Sequence, residues 1–167
     1  MEERSLSVIR ISVRNLVEFV LRSGDLDNRR TAGAKKEAMQ AGGRLHRKIQ
    51  KRMGSEYRAE VSLKHTVDEE EFKLLVEGRA DGVIEEASGC TIDEIKCIYM
   101  DLKYLEDADP VHLAQAKCYA YFLACDRELA AMGVQITYCN IESEEVRRFR
   151  FDYSFEELEE WFLGLVH

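Results

Sequence analysis

The chain has 167 residues, of which 46% are hydrophobic and 34% are charged, with a single proline. This length suits one domain with a buried core, and the composition excludes long disordered linkers. No apolar run approaches the roughly 20 residues of a membrane span, and the N-terminal segment lacks the apolar stretch of a signal peptide. We therefore expect a single domain over residues 1–167 that acts in the cytoplasm without a membrane partner.

Cysteine spacing and charge restrict the kinds of site that the chain can carry. None of the five cysteines forms a CxxC pair, so we expect reduced thiols rather than a zinc or iron–sulfur site. The net charge of −8 opposes nonspecific binding of nucleic acid. However, the segment from Arg29 to Arg58 carries ten Lys or Arg against two Glu, a local charge of 10 − 2 = +8. This segment either meets a phosphate backbone or forms the solvated face of a helix.

Capping residues and apolar periodicity predict four helices. Ser12 caps the first helix, and Gly24 stops it before a loop over residues 25–31. Asp109 and the following proline begin the third helix, and Ser154 begins the fourth with a capping box. The predicted helices cover residues 13–22, 33–53 and 110–132 and the segment after Ser154.

Alternating β-branched and aromatic residues predict five strands, the first three of which are consecutive in the chain. We therefore expect a meander that is followed by the third helix and two further strands. The predicted strands cover residues 57–66, 72–84, 91–99, 134–140 and 146–153.

The hairpin of the second and third strands brings charged side chains together. Residues 78–96 read GRADGVIEEASGCTIDEIK, and a turn centred on Ala87 and Ser88 places Asp81 opposite Glu94. Lys96 points the same way as Glu94 because strand side chains alternate with period 2. Two close carboxylates favour a neutralising cation, and their hard oxygens suit Mg²⁺ or Mn²⁺. The alternative is a solvated polar face on which Lys96 pairs with either acid.

Three further positions are candidates for the same site. His46 lies near the buried edge of the second helix, either as a metal ligand or as a packed histidine. Gln115 and Tyr119 are four residues apart and share one helix face, either at a site or as a surface glutamine and a half-buried tyrosine. Glu60 faces the sheet either as a site residue or in a cross-strand ion pair.

The order of these elements, with D…ExK in the meander, resembles the PD-(D/E)XK nuclease superfamily. His46 in GGRLHRKIQ, Asp81 in GRADG and the pair in QAKCY make it most similar to the RecB-like exonuclease branch, which includes CRISPR-associated exonucleases. The opening IRISVRNLVEFVLRSGDLDNR is similar to the N-terminal nuclease region of DinG-like DNA helicases of Firmicutes. The resemblance implies an α/β fold with a restriction-endonuclease-like core, in which helices flank a central mixed β-sheet.

The resemblance also implies roles for the motif residues. Lys96 would orient or deprotonate the attacking water and stabilise charge on the phosphate. Catalysis would rest on Asp81, Glu94 and Lys96. The implied ligands of Mg²⁺ or Mn²⁺ are His46, Asp81, Glu94 and the carbonyl group of Ile95.

Substrate contacts and cofactors follow from the same resemblance. Gln115 and Tyr119 would contact DNA or brace the site, and Arg47 and Lys48 are candidate DNA contacts. Many relatives bind an iron–sulfur cluster through four cysteines, one of which precedes the histidine. No cysteine precedes His46 in this chain, so we expect no cluster.

The implied function is a metal-dependent DNA exonuclease that hydrolyses phosphodiester bonds in repair or recombination, or beside a covalently linked helicase domain. An alternative of another class is a DNA-binding or docking module of a helicase, which keeps the nuclease fold with little turnover. A third alternative is a metal-binding fold with a small phosphate substrate. Salt-dependent DNA binding without cleavage would favour the module.

Overall fold

The computed structural model of the chain describes residues 6–21 and 32–167, with side chains from residue 40 onward in the second range. The predicted stop at Gly24 and the loop over residues 25–31 lie outside the described residues. The helices are α1 (Val13–Leu21), α2 (Ala32–Arg52), α3 (Pro110–Arg127) and α4 (Phe155–Val166), with a 3-10 turn at Leu102–Tyr104. The strands are β1 (Ser7–Ser12), β2 (Tyr57–Asp68), β3 (Phe72–Glu86), β4 (Gly89–Ile98), β5 (Ala131–Asn140) and β6 (Val146–Ser154).

The described strands form one mixed sheet of six strands in the order β1-β3-β4-β5-β6, with β2 also paired to β3. β2 pairs along most of β3, so β1 and β4 share the opposite edge of that strand, β1 along its first half and β4 along its second. β4 and β5 are parallel, and α3 lies in the crossover between them. The predicted α/β fold, with a central mixed sheet flanked by helices, is confirmed.

Helices cover both faces of this sheet. On one face, α1, α3 and α4 bury side chains such as Val17, Phe122 and Phe162 in the main core. On the other face, Leu45 and Ile49 of α2 form a smaller cluster with Ile95 and Cys139. Adjacent residues of β4 alternate between the faces, so this strand is buried on both sides.

The predicted hairpin has the predicted register near its turn, because Val83 pairs with Ile92 and the turn lies between Glu86 and Gly89. The predicted pairing of Asp81 with Glu94 is not part of the ladder, which stops at Gly82 and Asp93. The capping box at the start of α4 and the Ser12 cap of α1 are also present. Strand β1 was not predicted. It is a short edge strand that pairs in parallel with residues distant in sequence, so its local pattern gave no hairpin signal.

The predicted end of the third helix is wrong by about five residues. The helix ends at Arg127 because Glu128 adopts a left-handed conformation, with φ 54°, and the N–H of Leu129 donates to the Ala124 carbonyl at 2.9 Å. Gly133, which directly follows the predicted helix over residues 110–132, lies within β5 and pairs with Asp152 of β6. Glycine is the usual residue at such a stop, which is why a glutamate there gave no signal.

No helix in the described part of the chain is both long and apolar enough to cross a membrane.

Candidate active site

The backbone pairing of β3 is interrupted at Asp81, both on the side of β2 and on the side of β4. The pairing of β3 with β4 stops at Gly82 and Asp93, and the pairing with β2 skips the position of Glu60. Glu60 has a φ of 56°, a conformation that costs a non-glycine residue on the order of 1 kcal/mol. Gln50 of α2 occupies the gap, because its amide donates to the Asp81 carbonyl at 2.9 Å and to Glu60 Oε1 at 3.0 Å.

This interruption brings three potential metal ligands together. The Nε2 atom of His46 lies 3.1 Å from Asp81 Oδ1 and 3.9 Å from Glu60 Oε1. Among the described residues, these three offer ligand atoms that all lie within 4.8 Å of one another. Two adjacent ligands of an octahedral Mg²⁺ are about 3.0 Å apart, given bonds of about 2.1 Å. One nitrogen and two carboxylates therefore fit a divalent cation of the Mg²⁺ or Mn²⁺ kind.

The Nε2 atom of His46 is buried without a hydrogen-bond partner among the described residues. Asp81 Oδ1 lies within ion-pair distance of this atom, at 3.1 Å. The same carboxylate raises the pKa of His46 above its usual value, against the opposing effect of burial. Buried polar atoms are rarely left without a hydrogen bond, and a cation between this ring nitrogen and the two carboxylates would satisfy all three groups.

Glu94 and Lys96 form a buried ion pair beside this group. Lys96 Nζ lies 3.4 Å from Glu94 Oε2, and the two side chains are 19% and 6% exposed. Burial and the charge of Asp81 raise the pKa of Glu94, Lys96 lowers it, and the net result is a pKa of about 8. Glu94 is outside the group of three ligand atoms, and Glu60 is inside it. Glu60 also forms the cross-strand ion pair that the sequence left open, with Arg79 at 3.1 Å.

Ile95 connects the site to the strands and to α2. Its N–H donates to Asp81 Oδ2 at 2.7 Å. The N–H and C=O of one residue point to the same edge of an extended strand, so the Ile95 carbonyl also faces the side of Asp81. The Ile95 side chain packs on Leu45 and Ile49, which hold α2 against the sheet and so place His46.

Gln115 and Tyr119 lie on the buried face of α3, with only 5% and 7% of their surfaces exposed. The Tyr119 hydroxyl packs against β3 at Gly78. A Cβ atom at residue 78 would lie 2.5 Å from the hydroxyl oxygen, so only a residue without a side chain leaves room for it. Burial raises the pKa of Tyr119, and the charges of Glu94 and Asp81 raise it further. The ring thus borders the acidic group, and its burial fits the bracing role better than direct contact with DNA.

Arg47 and Lys48 are both exposed on α2. Lys48 forms an ion pair with Glu144, with 2.7 Å between Nζ and Oε1. Its charge is thus partly neutralised, whereas Arg47 has no ion pair with another described residue.

Sequence reasoning missed two residues that shape this region. Gln50 bridges Asp81 and Glu60, as described above. Asp93 is fully buried and accepts hydrogen bonds from three side chains. The sequence does contain a signal for a buried Asp93. It lies within a predicted strand beside Thr91, Ile92 and Ile95, residue types that favour burial.

Comparisons with known proteins show likeness of fold. No protein-family model and no curated protein matches the chain. The crystal structure of SSO0001 matches with a TM-score of 0.60 at 16% identity, and the match covers 99% of this chain and 77% of that chain. An alkaline exonuclease (LHK-Exo) from Laribacter hongkongensis matches with a TM-score of 0.46 at 12% identity, over 93% of this chain and 87% of that chain. The match to SSO0001 establishes a shared fold.

Proposed function

We propose that this protein is a metal-dependent nuclease that hydrolyses phosphodiester bonds in DNA. The observation that carries the proposal is the convergence of the buried Nε2 atom of His46 with the carboxylates of Asp81, at 3.1 Å, and Glu60, at 3.9 Å. A buried pair of Glu94 and Lys96 borders the same group. This combination of a hard-cation site with an adjacent ammonium group fits hydrolysis of a phosphate diester.

His46, Asp81 and Glu60 would hold the cation, together with the carbonyl of Ile95. Glu94 is a further ligand in the set that the sequence resemblance implies. When bound, a divalent cation lowers the pKa of a coordinated water and offsets negative charge on the phosphate. The donors are nitrogen and oxygen atoms, which favour Mg²⁺ or Mn²⁺ over softer metals.

Lys96 and Glu94 would serve the reaction directly. Lys96 orients the attacking water and donates to a phosphate oxygen on which charge develops. The water oxygen forms a bond to phosphorus while the bond to the leaving sugar oxygen breaks. The water proton passes to the ionised form of Glu94, which the adjacent Lys96 favours, and the leaving oxygen takes a proton from solvent.

We further propose that the enzyme is an exonuclease that acts at DNA ends in repair or recombination. Support comes from the resemblance of the His46, Asp81, Glu94–Lys96 and Gln115–Tyr119 motifs to RecB-like exonucleases. The opening segment supports a nuclease domain that is covalently linked to a helicase. Because no cysteine of this sequence precedes His46, we also propose that the site needs no iron–sulfur cluster.

The proposal is tested by incubating the purified chain with end-labelled single-stranded and duplex DNA, in Mg²⁺, in Mn²⁺ and in chelator. Lys96→Ala should abolish the metal-dependent cleavage that the wild type shows, since removal of a charge-stabilising group costs about 10²–10³ in rate. Lys103→Ala is the matched control, because Lys103 is an exposed lysine whose ammonium lies 3.7 Å from Asp101 and above the ring of Tyr104.

Cleavage by Lys96→Ala at the wild-type rate would contradict the role of Lys96 and overturn the mechanism. Wild-type protein that binds DNA without cleaving it in either metal would instead favour the docking module.

A further inference from the structure

Asp93 lies at the centre of a buried polar cluster on the face of the sheet opposite Glu94. Its side chain has no solvent exposure. One carboxylate oxygen accepts from the Tyr57 hydroxyl at 2.8 Å. The other accepts from Thr137 Oγ1 at 2.6 Å and from Gln135 Nε2 at 3.2 Å. Every donor belongs to a strand other than β4.

The contact with Tyr57 spans a strand. Tyr57 belongs to β2, which pairs with β3 and not with β4. Its ring reaches Asp93 by crossing over Gly82 of β3, the residue that pairs with Asp93. A Cβ at Gly82 would overlap the Tyr57 ring, so the contact requires glycine at this position.

The cluster therefore connects β2, β4 and β5 across β3 at one position along the strands, which we call the level of Asp93. Gln135 is the register partner of Asp93, and Thr137 is the partner of Ile95. That level is where the pairing of β3 with β4 stops and where Glu60 leaves the ladder of β2 with β3. The side chains of the cluster supply connections across the sheet at the point where backbone pairing is lost.

We infer that Asp93 is a positioning residue for the metal centre. Through its three hydrogen bonds it fixes the segment of β4 that presents Glu94 and the backbone of Ile95 to Asp81. This inference rests on the proposed function, because the positioned groups are those that would hold the cation.

A purely structural role explains the cluster less well. A buried carboxylate costs free energy through desolvation, and burial raises the pKa of Asp93 despite its three donors. Apolar side chains of similar volume often serve stability as well or better. A fully satisfied buried network, in contrast, fixes one arrangement of the chain, which a metal site with strict geometry needs.

The test compares two buried threonines of neighbouring strands. Thr137→Val removes a donor to Asp93 with little change of volume, and Tyr57→Phe removes another. Thr91→Val is the matched control, because Thr91 is equally buried but accepts from Arg150 at 3.0 Å instead. Mn²⁺ affinity is measured by calorimetry on the full chain without DNA, and thermal unfolding is recorded for each variant.

We expect Thr137→Val and Tyr57→Phe each to weaken Mn²⁺ binding about tenfold. Residues that support metal ligands without contacting the metal typically change metal affinity by about 10- to 100-fold, and these two should fall at the lower end of that range. Thr91→Val should keep wild-type affinity. Equal affinity in all variants, with lower melting temperatures for Thr137→Val and Tyr57→Phe, would overturn the inference and leave the nuclease proposal standing. A wild type that binds no Mn²⁺ would overturn both.

Discussion

The backbone N–H of Ile95 donates to Asp81 Oδ2 at 2.7 Å. This hydrogen bond lies just beyond the last register pair of β3 and β4, Gly82 with Asp93. It fixes one carboxylate oxygen of Asp81 against β4 and leaves Oδ1 facing the His46 ring at 3.1 Å. The carboxylate is thus oriented before any cation binds, which limits the entropy lost on binding.

His46→Asn should weaken Mn²⁺ binding at least tenfold. Loss of a residue that only supports a metal ligand lowers metal affinity about 10-fold or more, and loss of a ligand itself should cost no less. Asp81 raises the pKa of His46 above 6.5, so at pH 6 the ring is largely protonated and must lose its proton to bind a metal. The wild type should therefore release about one proton more than the variant on binding Mn²⁺ at pH 6. Calorimetry in buffers of different ionisation enthalpy counts these protons, and equal counts would contradict ligation by His46.

Glu94→Gln should change how the stability of the metal-free protein depends on pH. Burial, together with the charge of Asp81, raises the pKa of Glu94 from 4.5 to about 8, so across that interval the folded state keeps a proton that the unfolded state has lost. The wild type consequently loses stability as the pH rises, whereas a glutamine cannot ionise. The melting temperature of the variant minus that of the wild type, measured in chelator, should increase from pH 5 to pH 8.5.

Glu144→Gln is the control for this experiment, because Glu144 is exposed and Lys48 lowers its pKa. It should show no such increase. If the difference for Glu94→Gln is flat across the range, the buried carboxylate does not titrate as proposed.

The sequence predicts those parts of the site that follow from local register. The turn at Ala87 and Ser88 sets the pairing of Val83 with Ile92, and thereby places Asp81 beside the strand that carries Glu94. Helical periodicity places His46 next to residues that face the sheet. Both inferences need only one hairpin or one helix.

The remainder depends on contacts between distant segments. The hydrogen bond of Thr137 with Asp93 needs the parallel register of β4 and β5, which no turn specifies. The position of Glu60 depends on its positive φ, and strand periodicity gives no sign of it. The end of α3 at a left-handed Glu128 likewise breaks the usual preference for glycine.

Gly78→Ala should destabilise the fold by about 1–3 kcal/mol, the usual cost of overpacking. The added Cβ would lie 2.5 Å from the Tyr119 hydroxyl oxygen and 3.0 Å from its Cε1. Tyr119→Phe removes the closest atom, so the double variant should recover part of the loss in a double-mutant cycle measured by urea unfolding.

Gly164→Ala serves as the control for that cycle, because no heavy atom lies within 4 Å of a Cβ added in α4. It should raise stability by up to about 1 kcal/mol through helix propensity. Strict additivity of Gly78→Ala and Tyr119→Phe would show that the ring does not occupy the space beside β3.

Arg47→Gln should weaken DNA binding more than Lys48→Gln does. Lys48 is already paired with Glu144 at 2.7 Å, so its charge should contribute less than that of Arg47 to the binding of a DNA phosphate. Anisotropy of labelled single-stranded DNA in chelator, measured against salt, should show a log–log slope about 0.7 smaller for Arg47→Gln. Glu144→Gln frees the ammonium of Lys48 and should tighten binding. If neither Arg47→Gln nor Glu144→Gln changes the slope, this face of α2 does not contact the DNA backbone.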